Sequence, residues 1–251
     1  ATHLAPFKVQ RATITALVDT FEHAKTFGSL IQIPYSLKTH LAVLPEILML
    51  VQREGDMYAS AAAADLLPLV QQAQMLAMQF DAVVANPPYM GGKGMNLALK
   101  EYARVTYPDS KSDLFAMFIE RGFEWCRPSG LNSMVTMQSW MFLSSYEVMR
   151  EKLLTERTIL TMAHLGARAF SEISGEVVQT TAFIFCRQHF KPFRPVFHQW
   201  NFKIICAAIG DEKINRVAAK PLINHFINKK RYWHWRFFGN GAATLNNIKL
   251  A

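Results

Sequence analysis

The feature that most constrains this chain is a short apolar run that ends in two consecutive prolines, Asp81-Ala-Val-Val-Ala-Asn-Pro-Pro-Tyr89. The apolar residues 82–85 are typical of a short, buried, central strand of a parallel sheet. Proline lacks the N–H that a sheet ladder needs, and it favours an extended conformation in the residue before it. The run therefore predicts a strand that stops with Asn86 at its carboxyl end, where ligands bind in open α/β sheets.

The residues at this strand end suit the binding of a flat ring that carries an amino group. Asn86 Oδ1 and the carbonyl oxygen of Pro87 can both accept a hydrogen bond from an exocyclic NH2 group. Pro88 keeps the turn rigid, and the ring of Tyr89 can stack on the ligand. The segment resembles motif IV of the amino-methyltransferases, which flip a base out of DNA before acting on it. An ordinary strand-to-loop turn is the alternative interpretation.

The composition predicts a folded chain without a metal site or a membrane span. The sequence is 51% hydrophobic and 18% charged, which excludes wholesale disorder. The most apolar helical stretch, Ala59–Phe80, contains Asp65, Pro68 and four glutamines, which argues against insertion in a membrane. Three cysteines are widely separated: Cys126, Cys186 and Cys206. Their odd number, the lack of zinc-ligand spacing and the lack of a secretory signal predict a cytoplasmic protein.

The positive charge is concentrated in the last quarter of the chain. Residues 1–186 contain 15 Lys and Arg against 17 Asp and Glu, whereas residues 187–251 contain 12 against 2. Basic residues interleaved with aromatic ones, as in Arg231-Tyr-Trp-His-Trp-Arg236, can contact phosphates and stack on bases. The segment 187–251 is thus a candidate DNA contact, with a solvated surface or a truncated, poorly defined end as the alternatives.

Apolar residues at helical spacing predict three helices before the strand at 82–85. The predicted helices cover residues 1–30, ending at Gly28, then Ser36–Gln52 across Pro45, and Asp56–Phe80 with a kink at Pro68. They carry no polar cluster that suggests chemistry. Residues 1–80 are therefore predicted to form a helical insertion or lid.

A methyltransferase usually binds S-adenosylmethionine with a glycine-rich loop between a strand and a helix. The only glycines before Asn86 are Gly28 and Gly55, and neither has that setting. The cofactor half of the site is therefore predicted to be missing from this chain: either it lies in sequence outside the chain, or the cofactor does not bind here. Residues 90–95 form a glycine-rich loop in which Lys93 could contact the DNA backbone, although a plain surface loop is an equal alternative.

The second half of the chain reads as alternating helices and strands. Asp113–Cys126 is an amphipathic helix with Ser112 as its candidate N-cap, and Arg127–Gly130 ends it before a strand at Leu131–Met137. This order predicts a crossover between parallel strands. A further helix is predicted at Ser144–Thr155, followed by strands at Ile159–Leu165 and Val177–Phe185. With no helix clearly between them, these last two strands predict an antiparallel finish.

Two residues near the strand ends have competing interpretations. Trp140 follows the strand at 131–137 and could line the base pocket, although core packing is favoured. His164 lies alone within a predicted strand, where a satisfied core histidine is favoured over a catalytic one.

The chain resembles the adenine-specific DNA methyltransferase family PglX of BREX phage-defence systems. The resemblance rests on Asn86–Asn96, Tyr107–Arg121, Met134–Phe142, Ala163–Phe170 and Glu176–Phe183. It covers roughly residues 10–186, which makes it far more specific than the Asn-Pro-Pro-Tyr motif alone.

The resemblance implies an α/β fold: part of a Rossmann-like class I methyltransferase sheet, mainly parallel with an antiparallel finish. In this interpretation 1–80 is the helical insertion, 81–186 the C-terminal half of the catalytic domain, and 187–251 a poorly defined basic segment. The implied activity is S-adenosylmethionine-dependent N6 methylation of adenine in double-stranded DNA. This methylation marks the host DNA as self. The chain itself is expected to be an internal or truncated piece, inactive alone, with other BREX proteins as possible partners.

The resemblance also assigns roles to individual residues. Asn86 and Pro87 accept hydrogen bonds from the adenine N6 amino group and contact the cofactor. Tyr89 stacks on the flipped base, and Phe170 is a second aromatic residue that stacks on it. Methylation of an RNA base or of protein glutamine is the nearest alternative, because such enzymes share Asn-Pro-Pro-Tyr. A non-catalytic DNA-binding remnant is the other.

Overall fold

The computed structural model describes residues 2–167, 179–190, 195–199 and 236–237. The chain forms two compact units, residues 1–79 and 80–251. Within the described ranges, no helix combines the length and the apolar character that crossing a membrane requires.

The first unit is helical in its described residues. Its α-helices are α1 (Arg11–Phe21), α2 (Ala24–Phe27), α3 (Tyr35–Lys38), α4 (Leu44–Glu54) and α5 (Met57–Ala77), with 3-10 turns at Thr2–Phe7 and Gly28–Leu30. Their apolar faces bury one cluster of side chains that includes Leu17, Leu48 and Val70.

Two sequence-based boundaries in this unit are corrected, and a third is confirmed. The helix predicted to run through Pro45 is two helices, because proline suits the first turn of a helix and Pro45 lies at the start of α4. The last helix ends at Ala77, and Phe80 belongs to the following strand. The predicted stop at Gly28 is confirmed, since Gly28 ends α2 with a positive φ of 52°.

The second unit contains a mixed sheet with helices between its strands. The strands are β1 (Phe80–Ala85), β2 (Cys126–Met137), β3 (Thr158–Ala167), β4 (Gln179–Cys186), β5 (Val196–Gln199) and β6 (Arg236–Phe237). The helices are α6 (Leu97–Thr106), α7 (Leu114–Trp125) and α8 (Glu147–Glu156), with 3-10 turns at Gln138–Met141 and Ser144–Tyr146. The spatial order of the strands is β1-β2-β4-β3-β5-β6.

The predicted strand directions are confirmed. β1 and β2 are parallel, with Ala85 opposite Met134, and α7 lies between them in the chain. β4 is antiparallel to both β2 and β3, whereas β5 pairs with β3 in parallel. The sheet is therefore mainly parallel, with β4 as the antiparallel strand among those described.

The prediction that β1 is a buried, central strand is wrong for the described part of the sheet. There β1 pairs with β2 alone, and Val84 is 78% exposed. An apolar run is buried only when elements cover it on both sides, which the sequence of the strand cannot specify. The buried strand is instead β2, because its alternate residues face a core formed with α7, α8, β3 and β4.

Two boundaries around α7 are also corrected. Asp113, and not Ser112, is the N-cap residue, because its side chain accepts a hydrogen bond from Phe115 N–H. Residues 127–130 do not separate the helix from the strand but form an irregularity inside β2, where the register to β1 shifts. Gly130 is required there, because a Cβ would lie 2.9–3.0 Å from backbone atoms of Arg127 and Phe80.

Candidate active site

The Asn-Pro-Pro-Tyr segment follows β1 directly, at the sheet edge where the parallel strand β2 also ends. Asn86 and Pro88 are exposed, Pro87 is buried, and Tyr89 is half-buried. The turn is thus anchored by one proline and one aromatic ring, while the amide faces solvent. Such an arrangement leaves the amide accessible to a ligand.

Asn86 makes no side-chain hydrogen bond within the described residues. Its Oδ1 therefore keeps its capacity to accept from a ligand amino group, because an exposed amide oxygen has two acceptor positions. This placement is compatible with the predicted contact to an exocyclic amine. The catalytic roles of Asn86, Pro87 and Pro88 stay predictions.

Tyr89 is oriented by the core of the second unit. Its ring meets Phe115 edge-to-face, with 6.0 Å between the ring centroids and 86° between the planes. Its hydroxyl is buried without a hydrogen-bond partner in the described part of the chain. Burial, and to a smaller extent the charge of Asp113, raises the pKa of Tyr89. The hydroxyl is therefore neutral, and the ring is the part of Tyr89 available to a ligand.

Sequence reasoning did not assign a role at the site to Asp113. Asp113 Oδ1 accepts from Met90 N–H at 2.9 Å and from Phe115 N–H at 3.3 Å. Main-chain hydrogen bonds run alongside, from Leu114 N–H to Met90 O and from Gly92 N–H to Ser112 O, both at 3.1 Å. Burial raises the pKa of Asp113. Its position at the start of an amphipathic helix indicated a favourable interaction with the helix dipole, and it did not indicate a contact to the loop.

Lys93 lies exposed in the turn that follows Tyr89. Gly94 N–H donates to Gly91 O at 2.9 Å and closes this turn. The side chain is accessible to a phosphate, and the predicted contact to the DNA backbone stays a prediction.

Trp140 is a core residue, which corrects its assignment to the base pocket. Its side chain is 3% exposed, and its indole N–H donates to Thr136 Oγ1 at 3.2 Å. The ring packs edge-on against Phe183, with centroids 5.5 Å apart. Apolar burial and a satisfied N–H leave it no free surface for a base, so its placement agrees with the core-packing alternative.

Gln138 follows β2 and is engaged by its neighbours. Its Oε1 pairs with His164 Nε2, and its Nε2 donates to Gln179 Oε1. Burial lowers the pKa of His164, which keeps the ring neutral. His164 is thus a satisfied histidine next to the core, as the favoured interpretation predicts.

Some predicted features lie outside the described residues. They are Phe170 and most of the basic segment 187–251, including residues 231–235 of Arg231-Tyr-Trp-His-Trp-Arg236, whose last residue lies in β6. Among the residues that are described, no cluster of His, Cys, Asp and Glu could hold a metal ion.

Gly28 and Gly55, which precede β1, both lie at helix ends in the first unit. Neither forms the strand–loop–helix cradle in which backbone N–H groups hold a nucleotide. The strand end of β1 provides acceptors for an amino group.

Comparison with known proteins identifies the family of the chain. Residues 12–170, more than half of the sequence, match the family described as Eco57I restriction-modification methylase. The chain belongs to this family. It is also similar to two curated proteins, and the predicted resemblance to the PglX methyltransferases is confirmed by them.

Both curated relatives are much longer than this chain. The chain is 56% identical over 177 residues to the adenine-specific methyltransferase BrxX of Escherichia coli O9:H4 (strain HS), covering 70% of this chain and 15% of that protein. It is 46% identical over 125 residues to the adenine-specific methyltransferase PglX of Lacticaseibacillus casei (strain Zhang), covering 50% and 10%. The chain thus matches about one seventh of the first relative.

Among solved structures, the chain is similar to a putative class I S-adenosylmethionine-dependent methyltransferase from Listeria monocytogenes. The TM-score is 0.41 at 13% identity, covering 85% of this chain and 77% of that one.

Proposed function

We propose that this chain is the base-binding part of a methyltransferase that transfers a methyl group from S-adenosylmethionine to the N6 atom of adenine in double-stranded DNA. The observation that carries the proposal is the exposed amide of Asn86 at the end of β1, unpaired within the described residues, next to the oriented ring of Tyr89. The names of the two curated relatives support adenine as the target. The resemblance to the PglX methyltransferases leads us to include in the proposal that this methylation marks DNA as self in BREX phage defence.

The chemistry follows from two acceptors and one aromatic ring. Asn86 Oδ1 and Pro87 O accept the two N6 hydrogens of an adenine that has left the duplex. By accepting these hydrogens, the two oxygens raise the electron density on N6 and favour a geometry in which its lone pair is less delocalised into the ring, so N6 is a better nucleophile. The methylated nitrogen would then release one proton to solvent, with no formal base. Tyr89 stacks on the flipped base and holds it in place. Base–aromatic stacking is worth about 1–3 kcal/mol per base.

Other residues extend this proposal. Lys93 contacts a phosphate near the flipped base, Phe170 provides a second stacking surface, and Asn86 and Pro87 adjoin the cofactor. Among the described strands β1 pairs with β2 alone, and this supports a sheet that continues beyond β1, because open strand edges pair readily with further strands. We assign the rest of the cofactor site to such additional sequence. Residues 1–79 act as a helical insertion or lid, the site of action is the cytoplasm, and other BREX proteins are partners.

Methyl transfer by the natural full-length gene product tests the proposal. Radiolabelled S-adenosylmethionine is supplied with unmethylated genomic DNA, RNA and protein as competing acceptors. We expect label on adenine in DNA, and Asn86→Ala should lower turnover by at least about 100-fold, because loss of one positioned polar contact to the reacting group costs about that much. DNA binding should change by less than about 3-fold, because phosphate contacts dominate affinity.

Asn96→Ala is the matched control. Asn96 Oδ1 caps α6 by accepting from Leu99 N–H at 2.9 Å, so its loss should cost about 1 kcal/mol of stability and leave turnover unchanged. Label on RNA or protein alone would overturn the substrate assignment. Full activity of Asn86→Ala would remove Asn86 from catalysis, and DNA binding without any methyl transfer would identify a non-catalytic remnant.

A further inference from the structure

The loop after Tyr89 is tied to the N-terminus of α7 through one carboxylate. Asp113 Oδ1 accepts from Met90 N–H at 2.9 Å, 23 residues away in the chain, and from Phe115 N–H at 3.3 Å. Gly91 and Asp113 form an antiparallel bridge, flanked by the Leu114–Met90 and Gly92–Ser112 main-chain bonds. Residues 90–92 and 112–114 thus form a short ladder beside Tyr89, which we call the Asp113 tie.

Comparison with the other N-capped helices shows that Asp113 does more than cap the N-terminus of its own helix. Asp56 and Asn96 each accept from the third residue after them in their own helix, Ala59 and Leu99, at 2.7 and 2.9 Å. Asp113 makes a longer bond within its own helix and a shorter one to the distant Met90. The shorter of its two hydrogen bonds therefore goes to the loop.

The position of Met90 N–H has a direct consequence for Tyr89. The peptide unit between these two residues is planar, so fixing the Met90 N–H direction fixes the carboxyl side of Tyr89. On the amino side, Pro87 and Pro88 have restricted φ angles. The ring itself is held edge-on by Phe115, the same residue whose N–H completes the Asp113 contact. Tyr89 is thus restrained at its backbone on both sides and at its ring.

We propose that Asp113 is a positioning residue, which acts through Met90 to hold the Tyr89 ring where it stacks on the flipped base. This inference rests on the proposed function of the strand end. It assigns to Asp113 the role of a hydrogen-bond acceptor, so an uncharged acceptor of the same shape can replace it. Asp113 itself touches neither the base nor the reacting nitrogen.

The test compares Asp113→Ala with Asp113→Asn in the natural full-length gene product. For Asp113→Ala we expect turnover on unmethylated genomic DNA to fall by about 10- to 100-fold, since small misplacements of a positioning group cost up to about that much. The KM for DNA should change by less than about 3-fold. Asp113→Asn should recover turnover to within about 3-fold of the parent, because the amide oxygen still accepts.

The control is Asp56→Ala, which removes a helix cap of the same type far from Tyr89 in the chain. It should lower the melting temperature as Asp113→Ala does, and leave turnover within about 2-fold, as expected for loss of a cap alone. The inference is overturned if Asp113→Ala has parental turnover, if Asp113→Asn is as impaired as Asp113→Ala, or if Asp56→Ala loses equal activity.

Amide hydrogen exchange of the peptide that contains Met90 separates this inference from the proposed function. Exchange there should accelerate in Asp113→Ala and stay near the parental rate in Asp113→Asn. If the parent transfers no methyl group to DNA, the proposed function fails, and the exchange result still decides whether the Asp113 tie exists. Parental exchange in Asp113→Ala would overturn it.

Discussion

The two parallel strands β1 and β2 end at the same edge of the sheet, each followed by an amide and an aromatic residue. After β1, Asn86 is exposed and unpaired within the described residues, and Tyr89 is half-buried. After β2, Gln138 is hydrogen-bonded on both sides, and Trp140 is 3% exposed. The same chemical types therefore serve a candidate binding role at one strand end and a structural role at the other.

The difference lies in the neighbours of the two strands. β2 lies between β1 and β4, so the residues that follow it meet side chains from β3 and β4. β1 has a single described neighbour, so the residues that follow it remain partly open. A polar group whose partners are already in place is a poor ligand site, whereas an exposed and unpaired one retains its hydrogen bonds for a ligand.

The largest expected effect at the β2 end is on stability. Trp140→Ala should lower the free energy of unfolding by about 4 kcal/mol, because it removes a large buried side chain and leaves a cavity. Urea unfolding of the full-length gene product measures the change. Trp125→Ala, at a half-buried position, should cost less than half as much. A stable Trp140→Ala protein that had lost base binding would break the contrast between the two ends.

At the β1 end the expected effect is on turnover, and it depends on the ring rather than the hydroxyl. Tyr89→Ala should lower methyl transfer by about 10- to 100-fold, the equivalent of one base stack. Tyr89→Phe should stay within about 3-fold of the parent, because the hydroxyl has no described partner and its removal breaks no hydrogen bond. Equal losses in the two variants would show that the hydroxyl takes part.

The smallest expected effect is the pH dependence of the β2 end. Burial lowers the pKa of His164 in the folded protein, below the value of about 6.5 in an unfolded chain. Below that pH the unfolded state binds a proton that the folded state does not. The contribution of His164 to stability is therefore present above the unfolded pKa and is lost as the pH falls.

Unfolding free energies measured between pH 7.5 and 5.5 test this expectation. The parent should lose stability on acidification, by at most about 1.4 kcal/mol per pH unit from this group. In His164→Gln the free energy of unfolding should fall less on acidification, by the amount that protonation of His164 contributes in the parent. Parallel pH curves for the two proteins would show that His164 is not held neutral by its burial and that the β2 end is less constrained than its hydrogen bonds indicate.

Elements with strong local signals were predictable from the sequence. The apolar periodicity of α7 and the strand on either side of it indicated a parallel crossover, and the short β3–β4 connection indicated an antiparallel finish. Boundaries were less accurate where a residue fits two roles. Pro45 suits the first turn of a helix as well as a kink, and Asp113 suits the cap position as well as the first turn.

The sequence by itself determined where β1 stops and which groups follow it, because two prolines end a strand wherever it lies in the sheet. It also determined that an amide and an aromatic ring occur together there. Only the tertiary structure decided that Asn86 is open while Gln138 is engaged, that Trp140 is buried, and that Asp113 reaches Met90. These outcomes depend on contacts between residues far apart in the chain, and local propensity does not specify such contacts.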